Sequence, residues 1–255
     1  MLKQPPRFTV VTLFPELVEG IAQWGVTGRA FERGLCQLAL YNPRDYADDR
    51  HGTVDDRPYG GGPGMVMQAP VLDRTVAAAR EGCSRPVTVL ALTPQGRRFD
   101  DNMAREFAGL SEQRDLVLIA GRYEGFDERF IAESVDAEVS VGDFVVSGGE
   151  LPAMLVLDAI IRLLPDVLGH HASAQEDSFA EGLLDYPHYT RPEVYRGQSV
   201  PSVLLSGNHK AIAEWRRAQS LHRTLLRRPD LLTAAELSGE DKALLAAWQL
   251  ALPED

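Results

Sequence analysis

Cysteine is nearly absent: the 255 residues hold two, Cys36 and Cys83, far apart and without CxxC spacing. That excludes a disulfide scaffold and leaves two reduced, mostly buried thiols. No apolar run is long enough to span a bilayer, since the most apolar stretch, Leu151 to Ile161, is interrupted by Asp158. The start, MLKQPPRFTV, lacks the apolar core of a secretory signal, which predicts a cytoplasmic chain. No GxxxxGK[ST] occurs, so a P-loop ATPase is excluded. GGGPG at Gly60 to Gly64 is followed by Met65 and Met67 and makes no GxGxxG, so a Rossmann dinucleotide site has little support. An excess of basic charge is missing as well. The net charge is −11, which argues against a wholesale nucleic-acid binder while leaving room for a local basic surface.

What is present is ordinary globular material. Hydrophobic residues make up 44% and charged residues 25%, enough to bury a core. Through the first two-thirds, strand and helix signals alternate. Strands are predicted at Arg7 to Leu13, Leu35 to Tyr41, Val87 to Leu92, Leu116 to Ala120 and Glu138 to Val141. Helices are predicted at Glu16 to Ala22, Ala69 to Arg80, Arg98 to Leu110, Asp127 to Val135 and Glu150 to Leu164. This alternation predicts an α/β domain with a largely parallel sheet. A long polar segment, RDYADDRHGTVDDRPYGGGPG, shows no apolar period, and unstructured stretches of that length are usually functional or mobile. PDVLGHHASAQEDS reads as a linker, and the remainder as helical. In the helical part, Ala211 to Arg228 is stopped by Pro229, and Ser238-Gly239-Glu240-Asp241 opens a last helix through Trp248 as a capping box. The division expected is 1–168, an α/β domain; 169–177, a linker; and 178–255, a small all-helical domain.

Three Gly-rich loops follow predicted strands: Leu92 to Gly96, Gly121 to Gly125 and Ser140 to Glu150. A tight turn is the plain reading of any one of them. Three together, at the strand ends where ligands of open α/β sheets bind, predict a pocket made largely of backbone groups.

The strings GVTGRA from Gly25, HGTVDDRPYGGGPGM from His51, GRYEG from Gly121, VGDFVVSGGELPAM from Val141, ASAQEDSFAEGLLDYPHYTRPEV from Ala172 and VLLSGNHKAI from Val203 carry a resemblance over nearly the whole chain. The sequence resembles the bacterial tRNA (guanine-N1)-methyltransferases of the trefoil-knot (SPOUT) superfamily. The resemblance implies a deep trefoil knot in the N-terminal domain, S-adenosylmethionine as methyl donor, and a homodimer that grips tRNA across both subunits. Neither membrane nor DNA is implied as a partner. The methyl would go to N1 of the guanosine immediately 3′ of the anticodon, which aids reading-frame maintenance. Magnesium is implied for activity; the sequence shows no site for it, and His170-His171 lacks further ligands at metal spacing.

Carried over residue by residue, the resemblance makes the three loops the donor pocket. Leu92, Thr93 and Pro94 would form one wall, and Gly121, Tyr123 and Glu124 a second. Ser140, Val141, Gly142, Asp143, Phe144, Val145 and Val146, with Gly148, Gly149 and Pro152, would form the third. Many relatives have Tyr-Leu-Ser-Pro where this chain has Ala91-Leu92-Thr93-Pro94, a change of packing more than of chemistry. The resemblance places Asp177 as the base that takes the N1 proton and Arg162 as the cation that stabilises charge on O6. From position alone Asp177 reads as a helix N-cap and Arg162 as a helix C-terminal charge. Asp55, Gly64 and Arg122 are implied near the target guanosine, with Glu124 facing its N1–H and amino edge. His188, Tyr189 and Arg191 offer a ring to stack and a cation beside a looped-out base. Lys210, Arg216 and Arg217 belong to a stretch, Gly207 to Pro229, with six Lys or Arg against one acid, Glu214, which suits phosphate contacts, although by itself such a stretch is more often a solvated face.

Overall fold

The protein, seen in a computed structural model, is described over residues 4–169 and 177–249. Apart from Gly169 and Asp177, the expected linker lies outside the described residues, and so do His170 and His171. The chain divides into two compact units, Met1–Gly169 and His170–Asp255.

In the first unit the strands are, in chain order, β1 (Arg7–Val11), β2 (Gln37–Tyr41), the two-residue β3 (Asp55–Asp56) and β4 (Val66–Met67), β5 (Val87–Arg98), β6 (Asp115–Ala120) and β7 (Ala137–Ser140). The helices are α1 (Pro15–Glu19), α2 (Gly25–Glu32), α3 (Ala69–Glu81), α4 (Asp101–Leu110), α5 (Glu128–Ser134) and α6 (Glu150–Ile161). Five strands form one parallel sheet in the order β2-β1-β6-β5-β7. β3 and β4 pair antiparallel by themselves.

β6 is the central strand. All six of its residues, DLVLIA, are buried, the apolar run of a strand covered on both faces. Alternation along it then separates two cores. Leu116, Leu118 and Ala120, with Phe8, Val10 and Leu90, pack with Met103 and Phe107 of α4 and Val156, Leu157 and Ile160 of α6. Val117 and Ile119, with Val11 and Val89, pack with Leu72, Val76 and Ala79 of α3 and Phe130 of α5. With both faces covered, the strand ends are the part of the sheet left for a ligand. Two helices start where an acid stops the preceding chain: Asp100 accepts from the Met103 N–H and Asp127 from the Arg129 N–H, both at 2.9 Å.

Three features of this unit differ from the sequence expectations. β5 does not end at Leu92. Leu92 and Arg97 both register with Val139 of β7, so Thr93–Gly96 bulge out and the strand resumes. That resumption is set by the neighbouring strand and leaves no local signal. α2 begins at a glycine and has no strong helix start. It is held by tertiary contacts, including the Thr27 hydroxyl donating to the Ile21 carbonyl at 2.8 Å. The long polar segment carries most of a 3-10 turn, Pro43–Tyr46, and β3, which pairs with β4 just beyond its end.

The second unit holds β8 (Val194–Tyr195), β9 (Gln198–Ser199), α7 (Ser202–Leu205), α8 (His209–Arg227), a 3-10 turn at Pro229–Thr233 and α9 (Gly239–Gln249). It is therefore not all-helical. β8 and β9 form a hairpin whose central residues, Arg196 and Gly197, have φ of 50° and 77°, the positive pair that the favoured two-residue turn requires. Ser238 and Asp241 make the expected box: the Ser238 N–H donates to Asp241 Oδ2 at 3.0 Å, and the Asp241 N–H to Ser238 Oγ at 3.1 Å. Leu183, Leu221, Leu225 and Leu245 form this unit's core. Among the described residues no helix is long and apolar enough to cross a membrane.

Leu118 is fully buried in the central strand. Leu118→Ala is expected to lower the stability of the first unit by about 2–5 kcal/mol, read from the urea midpoint.

Candidate active site

The bulge within β5 and the loops released at the carboxyl ends of β6 and β7 surround a cavity of about 340 Å³. Leu92, Thr93 and Pro94 line one side. Gly121, Tyr123 and Glu124 line a second, and Ser140, Val141, Phe144, Val145, Val146, Gly148, Gly149 and Pro152 the third. Gly142 and Asp143 do not line it. Gly142 takes φ of +153° and its carbonyl accepts from the Phe144 N–H at 2.9 Å, so these two residues make the bend that brings Phe144 to the wall. Gln95, Gly125, Phe126, Val139 and Ser147 line the cavity as well and were missed by sequence reasoning. Their only signal is adjacency to residues already singled out.

The second and third loops meet without room for a side chain. The Gly149 N–H donates to the Gly121 carbonyl at 2.8 Å, and a Cβ on Gly149 would stand 2.6 Å from the Ala120 Cα. Such closeness leaves backbone amides and carbonyls to face whatever the cavity holds.

The polar segment runs beside the second loop. The Glu124 N–H donates to the Met65 carbonyl and the Met67 N–H to the Gly125 carbonyl, both at 2.9 Å. A Cβ on Gly64 would lie 2.2 Å from Glu124 Oε1, so Gly64 and Glu124 are immediate neighbours. Tyr123 has φ of 59°, and burial, then the Asp55 carboxylate that takes its hydroxyl hydrogen bond, push its phenol above the ordinary value. Asp55, Gly64, Tyr123 and Glu124 are thus gathered at one side of the cavity.

Arg122 points inward. Its Nη2 lies 2.8 Å from Glu150 Oε2, its Nη1 donates to the Ser147 carbonyl at 3.0 Å, and its guanidinium covers the Phe14 ring at 4.4 Å. Glu150 is 1% exposed, and its Oε1 accepts from the Thr12 hydroxyl at 2.9 Å. Sequence reasoning did not select Glu150. The available signal was a carboxylate opening an otherwise apolar helix. Arg162 stands at the other end of α6 as its C-cap, its N–H donating to the Asp158 carbonyl at 3.2 Å.

In the second unit Asp177 lines a groove of about 540 Å³ with Tyr186, His209, Arg216 and Arg217. The Arg216 guanidinium lies 4.7 Å over the Tyr186 ring. His188 pairs with Asp185 at 2.7 Å, and Tyr189 and Trp215 stand 6.3 Å apart. Arg191 is exposed, and Lys210 is exposed with a loose contact to Glu214 at 3.8 Å. Arg217 is engaged twice, by Asp241 and by Glu181, each at 2.9 Å. Its hydrogen bond from the guanidinium holds the Asp241 carboxyl below the usual carboxylate range.

A family model described as tRNA (Guanine-1)-methyltransferase TrmD matches residues 6–234. The chain is 58% identical over 242 residues to a tRNA (guanine-N(1)-)-methyltransferase of Pseudomonas entomophila (strain L48), covering 95% of this chain and 96% of that one. It is 57% identical to a protein of the same description from Pseudomonas putida (strain W619), over the same shares. A third, from Pseudomonas fluorescens (strain SBW25), is 56% identical over 245 residues, 96% of this chain and 97% of that one.

The Arg217–Asp241 pair makes a pH prediction. A depressed carboxyl contributes stability above its unfolded pKa and loses it as pH falls through the folded value. The second unit is expected to weaken as pH drops from about 5 to about 3, and Asp241→Asn to flatten that slope in pH-dependent denaturation.

Proposed function

Because the chain belongs to the tRNA (guanine-1)-methyltransferase family, we propose that the three-loop cavity holds S-adenosylmethionine and that Asp177 and Arg162 act on the guanine. The enzyme transfers a methyl group to N1 of guanosine 37 of tRNA, a modification that supports reading-frame maintenance. One observation carries the assignment of the cavity. Loops from three adjacent parallel strands converge on it, and at Gly149 they pack too closely for any side chain. A cradle of that kind suits an adenosine group read by backbone amides and carbonyls, with Leu92, Val141 and Pro152 offering apolar contact. The return of the chain from the edge strand β7 to the centre of the sheet, where the Gly149 N–H meets Gly121, supports a deep trefoil knot here.

S-adenosylmethionine, when bound, supplies a methyl already activated on a sulfonium. The chain's own task is alignment and activation of the nucleophile. Guanine N1 carries a proton at neutral pH, and its lone pair is tied into the ring. Asp177 accepts that proton, and Arg162 stabilises the negative charge that grows on O6. A carboxylate is a weak base for this proton, so proton transfer accompanies methyl transfer. Glu124, beside Gly64, accepts from the guanine amino edge.

RNA contacts are assigned to Asp55, Gly64, His188, Tyr189, Arg191, Lys210 and Arg216. Arg122 and Arg217 already hold internal carboxylates, which turns them from RNA contact toward structural roles. Among the described residues no group of three or more His, Cys, Asp or Glu is placed to hold a metal ion, and a magnesium ion would be held in part by RNA phosphates. A homodimer is supported by apolar side chains of the first unit left in water, Phe14, Leu17, Val145, Leu151 and Leu155. The tRNA substrate makes the cytoplasm the place of action.

Labelled-methyl transfer to unmodified tRNA, with the product nucleoside identified, tests the assignment. Asp177→Ala is expected to lower turnover by at least about 100-fold while calorimetry finds its donor affinity nearly unchanged. Unaltered turnover removes Asp177 from the role of base.

A further inference from the structure

Glu150 has no part in the chemistry, yet it is 1% exposed and its carboxylate sits in the first turn of α6. A buried carboxylate is tolerated where a cation and hydrogen bonds meet it. Here they come from two distant parts of the chain. Arg122 arrives from the loop after β6, at 2.8 Å, and Thr12 from the end of β1, its hydroxyl donating at 2.9 Å. The helix N-terminus adds favourable potential.

The other arm of the same guanidinium reaches the cavity wall. Arg122 Nη1 donates to the Ser147 carbonyl at 3.0 Å, and Ser147, Gly148 and Gly149 line the cavity. A planar fork fixed by a carboxylate on one arm has a fixed direction on the other. Gly148 leaves the passage for it: a Cβ there would lie 2.3 Å from Arg122 Nε. Phe14 closes the open face of the guanidinium at 4.4 Å.

We propose that Glu150 is a positioning residue for the methyl-donor site, acting through Arg122 to hold the Ser147–Gly149 wall against the loop after β6. The proposal rests on the reading of this cavity as the donor pocket. It makes Arg122 a strut of that pocket and not a contact to RNA. Loss of the Glu150 charge frees the arm, loosens the wall and weakens the donor, while groups that bind tRNA are left in place.

The test compares parent, Glu150→Gln, Arg122→Met, the double variant and Thr12→Val. S-adenosylmethionine binding is measured by calorimetry, and KM for donor and for tRNA with kcat by methyl transfer. Glu150→Gln is expected to raise the donor Kd and KM about tenfold, as loss of an outer partner commonly does, with tRNA KM within about twofold. The double variant should be no worse than the worse single, because both remove one strut. Thr12→Val, which keeps the ion pair, should give a smaller rise and carries the test if Glu150→Gln does not fold. A purely structural role would lower kcat by reducing the active fraction without moving donor KM, and that outcome overturns the proposal. Donor affinity equal to the parent's in Thr12→Val and Glu150→Gln overturns it too, as does a change confined to tRNA KM. If the parent itself fails to bind S-adenosylmethionine, the reading of the cavity falls, and this inference with it.

Discussion

A carboxylate shut away from water must be neutralised where it sits, and Glu150 imposes that condition on the first unit. Meeting it draws Arg122 from the end of β6 and Thr12 from the end of β1 to the start of α6. Three segments far apart in the chain are thereby tied at one point. The point lies beside the cavity, because the second arm of Arg122 ends on the Ser147 carbonyl. The shape of the pocket and the neutralisation of a buried charge are one arrangement.

The location of the pocket follows from the sheet. Both faces of β6 are sealed, one by α4 and α6 and the other by α3 and α5. A ligand is left the strand ends, where the chain turns and backbone groups are unpaired. A site made chiefly of backbone tolerates changes of side chain in its walls. The second unit solves a different problem. Its long helix α8 is rich in cations, and acids answer some of them internally, as Asp241 and Glu181 answer Arg217. Arg216 lies over the Tyr186 ring instead.

Much of the architecture was legible because it is local. The unbroken apolar run of β6, the acids Asp100 and Asp127 that start α4 and α5, and the Ser238–Asp241 box all act within a few residues of themselves. The positions of the three loops could be read for the same reason, since each follows a strand signal. α2 was not legible, because a helix opening on a glycine is held by contacts such as Thr27 with Ile21 and not by its own propensity. The resumption of β5 after Thr93–Gly96 was equally hidden, because β7 sets it. The hairpin of the second unit is two residues long on each side, too short for an alternating pattern.

Periodicity, caps and turn residues therefore established which segments become strands and helices and where the chain bends back, since those preferences are short-range. Long motif strings added the kinship and the chemistry. The direction of Arg122 was beyond both. A guanidinium after a glycine turn serves RNA or a buried acid equally well until folding brings Glu150 within 2.8 Å. Burial made that choice, because an acid without water binds whatever cation the packed chain delivers to it.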